Sequence, residues 1–265
     1  MDKIKEGRRG VMAEYSPSEI MVTRAAKELE NGQVVFVGIG LPNLACNLAR
    51  RLQAPALTLI YESGAVGAVP SRLPISIGDP CLVTDSMSVC SMVEVFYYYL
   101  QGGLIDVGFL GGAQVDKYGN INSTVIGDYK QPKVRLPGSG GACEISIHAK
   151  KIILILTQNK KTFPERIDFI TTPGLINADN PRKKMGIPGG GPCLVITDFG
   201  VYKFSDNTCE MILSEIHPGV TLENVKETIS WDVKVSDTLK TTRPPTEDEL
   251  RIIREDLDPD KIYLK

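Results

Sequence analysis

Two short segments combine residue types that could do chemistry: G-I-G-L-P at 38–42 and Y-E-S-G-A-V-G at 61–67. Gly38, Ile39 and Gly40 can present backbone N–H groups with little side chain in the way. At the start of a helix such amides stabilise negative charge. The second segment holds one carboxylate, Glu62, followed by small residues that let a ligand come close. Together they set an anion-stabilising turn near a carboxylate. Two plainer readings use the same residues. A dinucleotide-binding fold holds pyrophosphate on G-x-G-x-x-G and bonds the ribose through an acid about 20 residues on. Glu62 has that spacing from Gly40, but position 43 is Asn, and S-G-A-V-G plays no part in ribose binding. Alternatively, the glycines are ordinary turns and Glu62 is a solvated residue at a strand end.

Other nucleophiles and ligands are poorly placed. The only histidines are His148 and His217, and the six cysteines (Cys46, Cys81, Cys90, Cys143, Cys193 and Cys209) form no C-x-x-C. No metal-ligand spacing or disulfide framework follows from this pattern. Most of the cysteines lie in apolar or Gly-rich surroundings and read as buried small hydrophobes. Enzymatic chemistry would therefore rest on a carboxylate or on bound cofactors.

The elements that must position these residues alternate between helix and strand. Ser16-Pro17-Ser18-Glu19 is a capping box with Pro at the first helical position, and Asn31-Gly32 marks the stop. Val34 to Val37 is a continuous apolar run suited to a buried parallel strand. Pro42 opens a second helix, and Leu57 to Tyr61 is a second strand. Both glycine-bearing segments thus fall at the carboxyl ends of successive strands, where open parallel sheets bind ligands. Ser91 to Gln101 reads as a helix; Ile105 to Leu110, Lys151 to Leu156 and Leu194 to Thr197 read as strands. Pro137 to Gly141 is a loop needing unusual backbone angles. Beyond about residue 200 come short β segments and helices starting near Thr221 and Thr246. The fold class is α/β: an open, mostly parallel sheet flanked by helices, in one domain over 1–265 with a small β-containing C-terminal extension.

Composition narrows the partners. The chain has 265 residues, 42% of them hydrophobic, which is ample for a sizeable core. Thirty Lys and Arg against 32 Asp and Glu leave no basic field for nucleic acid. No apolar run is long enough to span a membrane, and the first ten residues, M-D-K-I-K-E-G-R-R-G, lack a secretory apolar stretch. A cytoplasmic protein is expected.

The pair G-x-G-x-P and E-S-G, then L-G-G-A-Q-V-D-K-Y-G-N-I-N-S at 110–123 and G-S-G-G-A at 138–142, resembles the β subunit of the class I coenzyme A transferases. The likeness favours the glutaconate branch. It runs through nearly the whole chain, including I-G-D-Y at 126–129, T-P-G at 172–174 and G-I-P-G at 186–189.

The resemblance implies transfer of CoA between two carboxylic acids, short or dicarboxylic, through a covalent adduct on Glu62. CoA would then be substrate and transient adduct, with no resident cofactor or metal. Gly38, Ile39 and Gly40 become candidate oxyanion donors, and Gly140, Gly141 and Ala142 match the loop lying against the CoA thioester. Gln114 matches a residue near the acyl and CoA moieties, although it would serve equally as a capped turn residue. Phe36 stands where the 3-oxoacid branch uses an Asn, which turns the expectation away from 3-oxo acids. Arg72 and Arg135, the arginines nearest the motifs, are expected in surface ion pairs. The family's working unit needs a homologous α subunit, so a hetero-oligomer with an exposed apolar patch is expected. A CoA-thioester hydrolase or decarboxylase on the same scaffold is the alternative, and a non-catalytic nucleotide-binding protein is another from a different class.

Overall fold

The capping box at Ser16 sets the first element. In the computed structural model, which describes residues 14–176 and 181–264, the Ser16 hydroxyl accepts from the Glu19 amide at 3.2 Å. The Glu19 carboxylate accepts from the Ser16 amide at 2.6 Å. Helix α1 (Pro17–Ala26) follows, and it ends before the Asn31-Gly32 signal. The N-terminal residues read above for a secretory signal lie outside the described residues.

Strand β1 (Val34–Phe36) leads through the glycine turn into α2 (Leu41–Arg51), and β2 (Thr58–Ile60) lies parallel to β1. The chain then reverses at Glu62 into β3 (Ala65–Val66), which pairs antiparallel with β2 and with β4 (Ser88–Val89). Helix α3 (Met92–Glu94) runs directly into a π-helical segment, Val95–Leu100, ahead of β5 (Val107–Leu110). Two small hairpins follow, β6 (Gln114–Val115) with β7 (Ile121–Asn122) and β8 (Val125–Gly127) with β9 (Pro132–Arg135). They deliver the chain to α4 (Ala142–His148) and β10 (Lys151–Ile155). Then come α5 (Pro181–Lys184), β11 (Pro192–Ile196), β12 (Gly200–Phe204), β13 (Met211–Ile216), α6 (Leu222–Thr228) and β14 (Lys234–Thr241). Helix α7 (Glu247–Arg251) continues into a second π-helical segment, Ile252–Leu257.

One sheet of ten strands organises the molecule, in the order β14-β13-β12-β11-β10-β5-β1-β2-β3-β4. Its centre, β11-β10-β5-β1-β2, is parallel throughout. The C-terminal β segments are part of this sheet, because β12 folds back antiparallel on β11 and β13 and β14 extend the same edge.

Strict alternation divides the core between the two faces. On β1 and just beyond it, Val35 and Val37 join the cluster under α1, α2 and the C-terminal helix, while Phe36 joins the cluster under the first π-helical segment, α4 and α6. Ile153 and Ile155 against Ile152 and Leu154 repeat the division on β10. Fully burying each such side chain contributes about 1.5–3 kcal/mol before entropy.

The cysteines only partly follow expectation. Cys46 and Cys209 are buried, Cys81, Cys90 and Cys143 are half-buried and Cys193 is exposed, all as free thiols. Cys81 lies in a short 3-10 turn, Cys90 just past β4 and Cys143 in the first turn of α4, where side chains pack from one side only. Desolvation still pushes the Cys81, Cys90, Cys143 and Cys193 thiols above their ordinary value, so none is an activated thiolate. Among the described residues no helix is long and apolar enough to cross a membrane.

Glu19 also ties the two ends of the chain together, accepting from Arg254 Nε at 2.6 Å. Burial alone would raise its pKa, but the Arg254 hydrogen bond and charge, with the Ser16 amide, outweigh burial and hold it below the ordinary 4.5. A depressed folded pKa contributes stability above the unfolded value, and this is lost as pH falls through the folded one. Glu19→Gln should therefore be less stable than wild type at neutral pH, with the gap closing as pH drops below 4.5. Urea unfolding at several pH values measures this; a gap that widens toward acid contradicts it.

Candidate active site

Glu62 sits at the tip of a tight hairpin. The Gly64 amide donates to the Tyr61 carbonyl at 2.9 Å and the Tyr61 amide donates to the Ala65 carbonyl at 3.0 Å. Gly64 has φ +112°, and a Cβ there would lie 1.8 Å from the Cys90 carbonyl oxygen. No other residue fits that corner. The small residues after Glu62 are thus the return strand of a hairpin wedged against β4.

Tyr61 anchors the turn from beneath. It is fully buried, and its hydroxyl accepts from Asn43 Nδ2 on α2 at 2.7 Å. Asn43 is buried too, and its Oδ1 accepts from Asn47 Nδ2 at 3.1 Å. Burial pushes the Tyr61 phenol far up, so it stays neutral and serves as an anchor.

Alternation along β2 sends Ile60 to the face covered by α4 and the first π-helical segment, and Tyr61 to the other. Glu62 shares the face of Ile60. An ideal Cβ built on Gly141 would lie 3.0 Å from Glu62 Oε1 and 2.5 Å from Phe96 Cζ. Gly141 has an ordinary φ of −79°, so a side chain there meets crowding from Phe96 and Glu62 rather than backbone strain. Gly138 and Gly140 are glycines for the other reason: φ is +98° and +49°, with open space where a Cβ would go. Ala142 is the first residue of α4. The structure therefore brings the G-S-G-G-A loop onto the carboxylate.

The other end of α4 is held by a residue that sequence reasoning missed. Buried Arg182 donates to the carbonyls of Ser146 at 2.7 Å, Gly174 at 2.9 Å and Gly189 at 3.2 Å. This guanidinium ties T-P-G at 172–174 and G-I-P-G at 186–189 to the helix that carries the glycine loop. Phe96, against Gly141, was also missed; it lay inside an unremarkable apolar run.

The other expected residues fall nearby or elsewhere. Gly38 and Ile39 line an apolar depression of about 370 Å³ at the carboxyl ends of β1, β5 and β10, with Phe109 and Ile155. The Gly40 amide is turned toward the hydroxyl of Tyr263, which in turn donates to the Pro74 carbonyl. Gln114 is buried in a network. Its Nε2 donates to Asp168 at 2.9 Å, and its Oε1 accepts from Asn122 Nδ2 at 2.7 Å and the Asp168 amide at 3.0 Å. Arg72 pairs with Asp79 at 2.7 Å. Arg135 instead lies over the Tyr129 ring, 5.0 Å from its centroid, so its expected ion pair gives way to an aromatic contact. Among the described residues no three His, Cys, Asp or Glu side chains gather as metal ligands.

The structure thus places one carboxylate on a hairpin tip, faced by a glycine loop at the carboxyl end of a parallel strand. The chain belongs to the Coenzyme A transferase family, whose model matches residues 18–228. It is 50% identical over 243 residues to a subunit of 3-oxoadipate CoA-transferase from Pseudomonas knackmussii, covering 92% of this chain and 94% of that one. It is 37% identical over 256 residues to a subunit of glutaconate CoA-transferase from Acidaminococcus fermentans, covering 95% and 96%. The crystal structure of glutaconate CoA-transferase from the same organism superposes with a TM-score of 0.89 at 35% identity, over 96% of this chain and 99% of that one. The chain is a β-type subunit of a CoA-transferase.

Removing the Tyr61 hydroxyl tests how the turn is anchored. Tyr61→Phe leaves Asn43 Nδ2 buried without that partner and should cost about 1–3 kcal/mol. Denaturant unfolding measures it, and an unchanged midpoint would show that the turn is held by other contacts.

Proposed function

We propose that Glu62 is the nucleophile of this subunit and that it carries CoA between two short dicarboxylic acids. The observation that carries this reading is the seating of Gly141 against Glu62 Oε1, which puts a backbone free of side chain beside one carboxylate oxygen. In the first step a Glu62 oxygen bonds to the thioester carbonyl carbon, the C–S bond breaks and CoA leaves as thiolate. The product is a mixed anhydride of Glu62 and the acyl group. The thiolate then bonds to the glutamyl carbonyl carbon and the first acid leaves as carboxylate, taking one Glu62 oxygen. Glu62 now holds CoA as a thioester, and the second acid reverses both steps. No proton needs to move. Anhydride and thioester are both activated acyl species, so each exchange is nearly balanced.

A carboxylate is a weak nucleophile, so fixed donors to the oxyanion matter, each worth about 3–4 kcal/mol. The Gly140 and Gly141 amides at the start of α4 are candidate donors beside Glu62, while the Ala142 amide donates to the Ser139 carbonyl at 3.0 Å. Gly38, Ile39 and Gly40, one strand away, supply others. Gln114 acts through the hairpin it braces. Ala65, Val66 and Ala68 are buried behind the turn and keep water from the anhydride.

The relatives support the acid class. 3-Oxoadipate and glutaconate, in the names of the two relatives, are both short dicarboxylates. The higher identity belongs to the relative named for a 3-oxo acid, so Phe36 does not turn this chain away from that class.

A partner subunit is part of the proposal. Each relative is named as one subunit of its enzyme. Around the Glu62 hairpin a run of large apolar side chains faces outward: Ile75, Met87, Val89, Val93, Tyr97 and Tyr98, with Met87 76% and Tyr98 69% exposed. Met87 packs on Gly67 and Cys90 on Gly64, which makes this surface continuous with the turn. A homologous α subunit seated there would close the pocket.

The alternatives lack such support. The hairpin puts Glu62 in a reversal rather than at a strand–helix turn, and position 43 is Asn in place of the third glycine, so nothing here favours the dinucleotide reading. Both relatives are named as transferases, so hydrolysis or decarboxylation is not favoured.

With acyl-CoA followed by borohydride, the complex should be modified at Glu62. Glu62→Ala should abolish transfer, and Glu62→Asp, which withdraws the carboxylate by one methylene, should lower it by about a hundredfold or more. Modification elsewhere, or full-rate transfer by Glu62→Ala, refutes the reading. The isolated chain should turn over no acyl-CoA until its α partner is added, because remote CoA contacts must be complete before their binding energy can act at the thioester. Full activity of the single subunit would refute that.

A further inference from the structure

Gly141 is pressed from two sides. The position its Cβ would occupy is 2.5 Å from Phe96 Cζ and 3.0 Å from Glu62 Oε1, so ring edge and carboxylate meet across one small space. Phe96 is held there by an irregularity in its own helix. The Gln101 amide donates to the Phe96 carbonyl at 2.9 Å, a five-residue π-type bond, and Leu104 does the same to Tyr99 at 2.9 Å. The wider turn changes the direction in which Phe96 leaves the helix. Its ring rests edge-on against Phe36, with centroids 5.7 Å apart and planes at 62°. Phe36 is buried at the end of β1, so the pair is backed by the sheet.

We propose that Phe96 is a positioning and specificity-determining residue of the Glu62 site. Its ring fixes the Gly141 backbone against the carboxylate and sets the size of the acyl group admitted next to the reacting oxygen. The inference rests on the proposed role of Glu62 for its acyl-size half only; the packing of Phe96 on Gly141 stands on geometry. With the ring removed, the space beside Glu62 Oε1 opens toward Phe36 and the π-helical segment. Longer acyl chains gain room there, and so does water.

The complex of this chain with its partner subunit is compared as wild type, Phe96→Ala, Phe96→Leu, Gly141→Ala and Phe96→Ala/Gly141→Ala. Melting midpoints come first. Gly141→Ala should lower the midpoint by about 5 °C or more in the wild-type background and by clearly less once Phe96 is Ala, because the ring it strikes is gone. Next, relative kcat/KM is measured over straight-chain acyl-CoA donors from acetyl to octanoyl, along with CoA release in the absence of acceptor acid. Phe96→Ala should raise the octanoyl-to-acetyl ratio by about tenfold and raise hydrolysis relative to transfer, with Phe96→Leu in between. Equal cost of Gly141→Ala in both backgrounds overturns the positioning role, and an unchanged chain-length ratio overturns the specificity role. The melting cycle requires no turnover. A wild-type complex that moves no CoA yet shows the coupling refutes the proposed function and keeps the Phe96–Gly141 contact; transfer without coupling does the reverse.

Discussion

The Gly64 corner carries more of this structure than any single contact. At φ +112°, with the Cys90 carbonyl where a Cβ would be, it forces the chain to reverse immediately after Glu62. Without that reversal β2 would run on toward a helix, as β1 does, and Glu62 would face solvent at an open strand end. With it, the carboxylate stands on a turn closed by two backbone hydrogen bonds and anchored through Tyr61 and Asn43 to α2. A nucleophile that must meet a thioester carbonyl and then exchange partners gains from being fixed in advance, since misplacement by about 1 Å can cost a hundredfold.

Around that corner the glycines divide by cause. Gly64, Gly138 and Gly140 hold backbone angles that side chains resist, whereas Gly141 is crowded because Glu62 and Phe96 close on it. The first kind shapes the loops; the second lets two loops touch. Arg182 completes the arrangement from the far end of α4, where a buried guanidinium binds carbonyls from three segments. Donating to several carbonyls at once, the guanidinium draws together loops that are short and rich in Gly and Pro.

The sequence declared its regular elements through local chemistry. The capping box at Ser16 forms and helices start at Thr221 and Thr246 as read, and the apolar run at 34–37 is the buried parallel strand it resembles. Glu62 and the glycine loop were legible as separate motifs because a lone carboxylate beside glycines is chemically conspicuous. The hairpin at 61–65 was not, since Ala65 and Val66 read the same in a returning strand as in a helix start. Nor was the π-helical offset that aims Phe96, because one extra residue in a turn leaves the apolar stripe almost intact. Tyr263 on Gly40 and Arg182 on α4 were out of reach for another reason. Both act across a fold that must be assembled before they have partners.

If CoA passes covalently through the Glu62 carboxylate, the fate of oxygen shows it. Supplied with acyl-CoA and an acceptor acid whose carboxylate carries heavy oxygen at both positions, the complex should transfer one heavy atom to the side chain of Glu62. In each further turnover that atom should leave with the acid released from the donor in about half of the events, since either Glu62 oxygen can form the anhydride bond. Peptide mass spectrometry of Glu62 and of the released acid reads both events. Heavy oxygen in each, and none in either when Glu62 is Ala, is the predicted result. CoA transfer that leaves Glu62 unlabelled would contradict the account.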